Sequence, residues 1–160
     1  MDRIKNVTEQ KKTPRVLVVD DNQQNLELLQ IYLEDVDCQT IPARDGPEAL
    51  DIIAKDPPDL VLLDVMMPKM SGFEVCRRIK NDPKTSDISV IMVTALSEFG
   101  DIERAIDSGT DDFLSKPVNK LELLTRIKTM LKLKHLSDKL QRTLAYLSEI
   151  EEQAQATKSD

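Results

Sequence analysis

Short apolar runs alternate with longer amphipathic segments along most of the chain. Three of the runs are continuously apolar, which is typical of strands covered on both faces by helices. They are Arg15–Val19, 60–63 and 89–93. Gln39–Ala43 is a weaker strand, and Pro42 within it indicates a sheet edge, because proline has no N–H to donate to a neighbouring strand. Asp112–Ser115 is predicted as a short fifth strand.

The segments between these strands carry helix start and stop signals. They are 23–34, 47–55, 71–80 and 99–108, the last ending before Gly109. A fifth helix is expected to begin after Asn119 as its N-cap. Strand and helix alternate five times, which predicts an α/β fold with a doubly wound, five-stranded parallel sheet and right-handed crossovers.

The fifth helix is predicted to continue well beyond the length that the sheet can cover. Its apolar residues recur at intervals of three and four, a period near 3.5 that predicts a coiled-coil seam. They are Leu133, Leu136, Leu140, Leu147 and Ile150, with Thr143 and Leu144 sharing the gap. A homodimer through the last helices is one expectation, and a helix folded back onto its own domain is the alternative. We divide the chain into an arm at 1–13 expected to be disordered, a body at 14–131 and a helical extension at 132–160.

Composition excludes several classes of protein. No apolar run approaches the roughly 20 residues of a membrane span, and the polar N-terminus lacks the apolar stretch of a secretory signal, so the cytoplasm is the expected location. Cys38 and Cys76 are too few for a disulfide framework, and we expect buried or half-buried thiols. The net charge is −7, with +2 in residues 118–160 and therefore −9 in 1–117. An acidic body argues against nucleic acid as its ligand and suits a divalent cation.

Ionisable or hydroxyl residues follow four of the five predicted strands. They are Asp20 and Asp21 after the first, Asp64 after the third, Thr94 after the fourth and Lys116 after the fifth. The carboxyl ends of parallel strands meet at one edge of a sheet, so these groups should converge there. Asp20 and Asp21 could instead merely cap the following helix.

The residue types at this edge suit phosphoryl transfer. Mg²⁺ takes one or two carboxylates and keeps waters or phosphate oxygens, which leaves a carboxylate such as Asp64 free to form an acyl phosphate. The new oxyanions need a cation and a hydroxyl donor, and Lys116 and Thr94 supply these. Catalysis would then consist mostly of positioning and charge stabilisation.

At these residues the chain resembles the receiver domain of bacterial two-component response regulators. The matching motifs are VLVVDD at 16–21, LVLLDVMMPKMSG at 60–72, MVTA at 92–95 and DDFLSKP at 111–117. The resemblance covers about residues 14–131 and implies a flavodoxin-like sheet order of 2-1-3-4-5. It also implies that a sensor histidine kinase or a phosphotransfer protein donates a phosphoryl group to Asp64. Such a receiver is a switch and not an enzyme with a separate substrate.

The resemblance also implies a role for each residue of the site. Asp21 and Asp64 would ligate Mg²⁺, with the backbone carbonyl of Met66 as the third protein ligand and Asp20 acting largely through water. Three further roles concern the phosphate and the switch. Thr94 would be the switch hydroxyl, Phe113 the switch aromatic, and Lys116 the phosphate ligand, set by a cis bond to Pro117.

Met66 and Leu96 lie two residues beyond Asp64 and Thr94, beside the path of an attacking water. Polar side chains at these places in related receivers can orient that water. Both are apolar here, so we predict slow self-dephosphorylation.

Two competing functions are compatible with parts of the sequence. The basic residues at 126–142 could touch nucleic acid, but we favour a solvated coiled-coil face. A metal-dependent phosphatase with an aspartyl-phosphate intermediate would use the same pocket but needs a cap domain to hold its substrate. Only 43 residues follow Pro117. We therefore expect either a stand-alone receiver with a helical extension, which Met1 favours slightly, or a piece of a longer regulator. The output protein and the cognate kinase stay unnamed.

Overall fold

The computed structural model describes residues 12–95 and 99–158, and within these ranges five parallel strands form one sheet. The strands are β1 (Arg15–Val19), β2 (Gln39–Ala43), β3 (Leu60–Asp64), β4 (Ser89–Thr94) and β5 (Asp112–Ser115). Their spatial order is β2-β1-β3-β4-β5, which confirms the predicted doubly wound fold. Every strand therefore presents its carboxyl end at the same edge of the sheet.

Five helices connect or follow the strands in the described ranges. They are α1 (Gln23–Leu33), α2 (Gly46–Lys55), α3 (Gly72–Asn81), α4 (Phe99–Asp107) and α5 (Lys120–Lys158). The first three begin behind N-cap side chains of Asn22, Asp45 and Ser71, each of which accepts a backbone N–H from the first turn. The chain leaves α4 through Gly109, whose φ of 88° is in the left-handed region that favours glycine.

The sheet separates two apolar cores. Alternate strand residues such as Leu17 and Val61 face α2, α3 and α4, whereas their neighbours, such as Val18 and Leu62, face α1 and the first turns of α5. Burial on both faces explains why β1, β3 and β4 are continuously apolar. Cys76 is buried in the first core and Cys38 is half-buried beside the second; both are free thiols, as expected.

Strand β2 lies at one edge of the sheet, as Pro42 predicted. Its inward hydrogen bonds to the β1 side involve Gln39, whose N–H is donated to Pro14, and Ala43, whose carbonyl accepts from Asp20. Because the bonding direction alternates along a strand, the nitrogen of Pro42 faces away from β1. The proline therefore costs the sheet no hydrogen bond.

The predicted long C-terminal helix is confirmed. Helix α5 runs without interruption for 39 residues, about 58 Å at 1.5 Å per residue. Its first turns bury Leu123 and Ile127 in the second core, and the remainder extends past the sheet. Within the described residues the helix continues to Lys158, and its leucines between 133 and 147 stay exposed.

Two further sequence expectations can be placed. The arm predicted at 1–13 lies outside the described residues except for Lys12 and Thr13, which are exposed. None of the helices in the described ranges is both long and apolar enough to cross a membrane.

Candidate functional site

Three carboxylates meet at the carboxyl edge of the sheet. Ligand oxygens of Asp20, Asp21 and Asp64 all lie within 4.8 Å of one another. Asp20 is 1% exposed and Asp64 is 4% exposed, whereas Asp21 is open to solvent. Two buried carboxylates and one exposed carboxylate make a site that a hard divalent cation could enter and bind through oxygen.

The turn after β1 aims Asp20 into this site. Asn22, and neither aspartate, caps α1 by accepting the N–H of Asn25. Asp20 Oδ1 accepts the N–H of Asn22 at 2.9 Å, which holds its carboxylate against the strand end. Helix capping therefore does not account for Asp20 and Asp21, and their carboxylates are available to a ligand.

Lys116 and Thr94 reach the same edge from β5 and β4. Lys116 Nζ lies 3.2 Å from Asp64 Oδ1 and 3.6 Å from Asp20 Oδ2. The Lys116 N–H is donated to the carbonyl of Thr94 at 2.8 Å, and the Lys116–Pro117 peptide bond is cis, as expected. Thr94 is buried at the end of β4, one residue beyond the partner of Asp64. The structure thus brings together all five of the strand-end residues predicted from the sequence.

The carboxylates of the site outnumber the ammonium group of Lys116 that faces them. Burial, and then the negative charge of Asp20, raises the pKa of the Asp64 carboxyl above its ordinary value. Lys116 and the backbone N–H of Met66 act in the opposite direction but do not cancel these causes. Among the described residues, Asp20 Oδ2 is buried without a hydrogen-bond partner. A second positive charge would satisfy this oxygen and relieve the repulsion between the carboxylates.

The loop between β3 and α3 forms one wall of the site. A Cβ at Gly72 would lie 2.3 Å from the backbone oxygen of Asp64, so only glycine lets α3 approach the end of β3 this closely. Lys69 has a φ of 69°, and its ammonium lies 3.2 Å from Asp45, the N-cap of α2. The sequence motif indicated this loop. It did not predict the close approach of Gly72 to Asp64 or the ion pair between Lys69 and Asp45.

The remaining predicted positions are distributed around the site. Met66 is 70% exposed beside Asp64. Phe113 is half-buried and packs against the core on the α2–α4 side, one strand away from Thr94. Leu96, the second apolar residue predicted to flank the path of water, lies outside the described residues.

This fold and site define a response-regulator receiver. The model of the response regulator receiver domain matches residues 16–128, and the chain belongs to that family. It therefore works in two-component signalling, where receivers are generally switches and not enzymes and interact with histidine kinases or phosphotransfer proteins.

Individual relatives differ in how much of their own length this chain matches. The chain is 44% identical over 126 residues to the response regulator PleD of Caulobacter vibrioides, a match covering 79% of this chain but 28% of PleD. It is 38% identical over 119 residues to the polar-differentiation response regulator DivK of Brucella ovis, covering 74% of this chain and 97% of DivK. The chain thus spans about a quarter of PleD but nearly all of DivK.

Solved structures agree with this membership. The signal receiver domain of a histidine kinase from Syntrophus aciditrophicus is 36% identical, with a TM-score of 0.72 over 75% of this chain and 91% of that one. Chemotaxis protein CheY4 of Vibrio cholerae is 27% identical, with a TM-score of 0.70 over 74% of this chain and 99% of that one.

Proposed function

We propose that Asp64 accepts a phosphoryl group from a histidine kinase or phosphotransfer protein in a Mg²⁺-dependent reaction. The observation that carries this proposal is the buried Asp64 carboxylate, held 3.2 Å from Lys116 and within 4.8 Å of two further carboxylates. An oxygen of Asp64 forms the new bond to phosphorus as the bond from phosphorus to the donor histidine nitrogen breaks.

The residues around Asp64 divide the work of binding and charge stabilisation. Asp21, Asp64 and the backbone carbonyl of Met66 would hold the metal, with Asp20 acting largely through water. Mg²⁺ bound there would neutralise the carboxylates and the phosphoryl oxygens. Lys116 supplies the remaining positive charge, because its ammonium already lies beside Asp64 Oδ1.

Phosphorylation would switch the face formed by β4, β5 and the helices beside them. Thr94 donates its hydroxyl to the new phosphoryl group, and Phe113 follows into the space vacated beside β4. The half-buried position of Phe113 against an apolar core supports this, because such a ring has a packed and an exposed alternative. This switched face would then bind an output partner. We expect the protein to act in the cytoplasm.

Labelling with a small phosphodonor tests the proposal directly. We expect incorporation into the wild type with Mg²⁺, and none with a chelator or in Asp64→Asn. Asp51→Asn, which changes an exposed carboxylate of α2, is the matched control and should label like the wild type. Stable phosphate on Asp64→Asn would overturn the assignment of the acceptor.

The exposed Met66 predicts a long-lived phosphoryl group. Met66 has no hydrogen-bond donor and only a weakly accepting sulfur for a water approaching phospho-Asp64, so we expect slow hydrolysis in the wild type and a faster rate in Met66→Asn. Met66→Leu is the matched control, because it replaces one apolar side chain with another. Loss of the phosphate within seconds from the wild type, unchanged in Met66→Asn, would contradict this prediction.

A further inference from the structure

Helix α5 carries an apolar row that its own domain does not cover. The row is defined by Leu133, Leu136, Leu140, Leu144, Leu147 and Ile150. Each of these side chains is between 43% and 59% exposed. Isolated exposed leucines are ordinary, but a continuous row over five turns of one helix is typical of an interaction surface.

The opposite face of the same helix is the one turned towards the domain. Leu131, Lys134 and Asp138 are half-buried, and Lys134 donates to the backbone carbonyl of Asp87 at 3.1 Å. At 3.6 residues per turn, this face lies about 180° around the helix from the apolar row. The described body therefore cannot cover the row without breaking contacts that α5 already makes, whereas the same row on a second copy of the helix offers a matching apolar surface.

Charge along the extension is divided into two opposite halves. Residues 132–142 contain four basic residues and one acidic residue, a net charge of +3 with His135 neutral. Residues 143–157 contain three acidic residues, Glu149, Glu151 and Glu152, and no basic residue, a net charge of −3. The extension is thus complementary to a reversed copy of itself, whereas a parallel copy would set like charges side by side.

The spacing of the apolar row fits the same reversed arrangement. With the two helices antiparallel, Leu133 faces Ile150 of the second copy, Leu136 faces Leu147, and Leu140 faces Thr143. In each pair the two residue numbers have the same sum, so one two-fold axis between residues 141 and 142 generates every layer. This register makes two of the three layers fully apolar, with Thr143 in the third, and it also places the basic half of each helix beside the acidic half of the other copy.

We propose that two copies of this chain associate through residues 133–150 of α5 as an antiparallel coiled coil. This places the two receivers at opposite ends of the paired helices and not side by side. The proposal concerns the extension alone and does not depend on the phosphoryl chemistry of Asp64.

Cysteine cross-linking of the full chain distinguishes the two orientations. In a Cys38→Ser, Cys76→Ala background, Leu133→Cys and Ile150→Cys are made as separate proteins, one with a size tag. Antiparallel pairing brings residue 133 next to residue 150 of the other copy, but keeps two copies of residue 133 about 25 Å apart, beyond disulfide reach. We expect a disulfide-linked heterodimer from the mixture and no dimer from either protein alone. Dimers from each protein alone, or no dimer in any sample, would overturn the proposal.

A charge reversal gives an independent readout in solution. Glu149→Lys, Glu151→Lys and Glu152→Lys together change the acidic half from −3 to +3. An antiparallel dimer should weaken by roughly tenfold or more, because attraction becomes repulsion at both ends. A parallel dimer would keep its affinity, because like charges are opposed before and after, and that result would contradict the proposal.

The apolar row itself is tested by one matched pair. Leu140→Asp should convert the dimer into a monomer in sedimentation, whereas Gln141→Asp, with the same charge one residue away, should stay dimeric. A monomeric wild type, or equal masses for the two variants, would overturn the proposal. Because Leu140 is exposed in the single chain, its substitution leaves the packing of the receiver unchanged.

Discussion

Aspartates serve opposite purposes at the two ends of the strands, which we call the amino edge and the carboxyl edge of the sheet. At the amino edge, Asp59 accepts the N–H of Arg15 at 2.7 Å, and Asp111 accepts the N–H of Val90 at 2.7 Å and the ammonium of Lys80 at 2.8 Å. At the carboxyl edge, Asp20 keeps a buried oxygen without a hydrogen-bond partner among the described residues, and the pKa of Asp64 is raised.

This difference shows how to separate a structural carboxylate from a functional one. A carboxylate whose oxygens are satisfied by strand N–H groups stabilises the folded chain and has little left to offer a ligand. A buried carboxylate held beside another carboxylate costs stability until a cation binds there. Substitutions at the two edges should therefore differ in their effects on folding and on ligand binding.

The largest expected effect is at the glycine of the carboxyl edge. Gly72→Ala should lower the free energy of unfolding by about 3 kcal/mol, because its Cβ would meet the rigid backbone oxygen of Asp64. Gly109→Ala, near the amino edge, should cost only about 1 kcal/mol, since its Cβ meets the flexible Lys80 side chain and the cost is mainly the left-handed φ. Urea denaturation of both variants makes the measurement, and equal losses would contradict the difference in rigidity.

Mg²⁺ should stabilise the chain through the carboxyl edge alone. At a concentration 100 times its dissociation constant, a ligand specific for the folded state adds about 2.7 kcal/mol. We expect this gain in the wild type, and most of it to disappear in Asp20→Asn and Asp64→Asn. Thermal unfolding with and without Mg²⁺ checks it, with Asp59→Asn at the amino edge as the control that should keep the full gain.

Removing a carboxylate at the amino edge should destabilise the fold and spare the chemistry. Asp111→Ala leaves the N–H of Val90 and the ammonium of Lys80 without this acceptor, at a cost of about 2 kcal/mol. Labelling by a phosphodonor below the unfolding transition should match that of the wild type. If labelling fell in proportion to stability, the separation of the two edges would be wrong.

The smallest expected effect has the opposite sign. Without metal, Asp64→Asn should unfold at a slightly higher temperature than the wild type at pH 7. Because its pKa is raised, Asp64 in the folded state keeps its proton at pH values above the ordinary pKa of 3.8. The folded state therefore loses stability as the pH rises from 3.8 through the raised pKa. The advantage of the variant should therefore vanish below that value. Melting curves with a chelator between acid and neutral pH test this, and an advantage that persisted in acid would have another cause.

Sequence patterns predicted the bounds of the elements to within one or two positions, and they predicted that the strand-end residues would lie together. Continuous apolar runs marked β1, β3 and β4 because each is buried on both faces, and parallel order then placed the strand-end groups together. The start of α3 was predicted at Ser71, which proved to be its N-cap. Such features depend on local chemistry and on period, which a single chain displays directly.

Other features depend on contacts between distant segments. The sequence did not indicate that Lys116 would lie between Asp64 and Asp20, or that Asp20 Oδ2 would have no hydrogen-bond partner among the described residues. It predicted the apolar row on α5 but not that the row would face away from the domain, because this depends on how the first turns of the helix pack on β5. Orientation follows from tertiary packing, which hydrophobic spacing alone does not encode.

The outward nitrogen of Pro42 has a consequence for behaviour in concentrated solution. Among the described residues no strand pairs with the outer side of β2, and unpaired edges can recruit strands from other molecules into growing aggregates. With no N–H at Pro42, an incoming strand loses a hydrogen bond at the middle of the ladder. The proline thus disfavours edge-to-edge association of the sheets of separate molecules. Pro42→Val should leave the receiver folded but increase its tendency to precipitate.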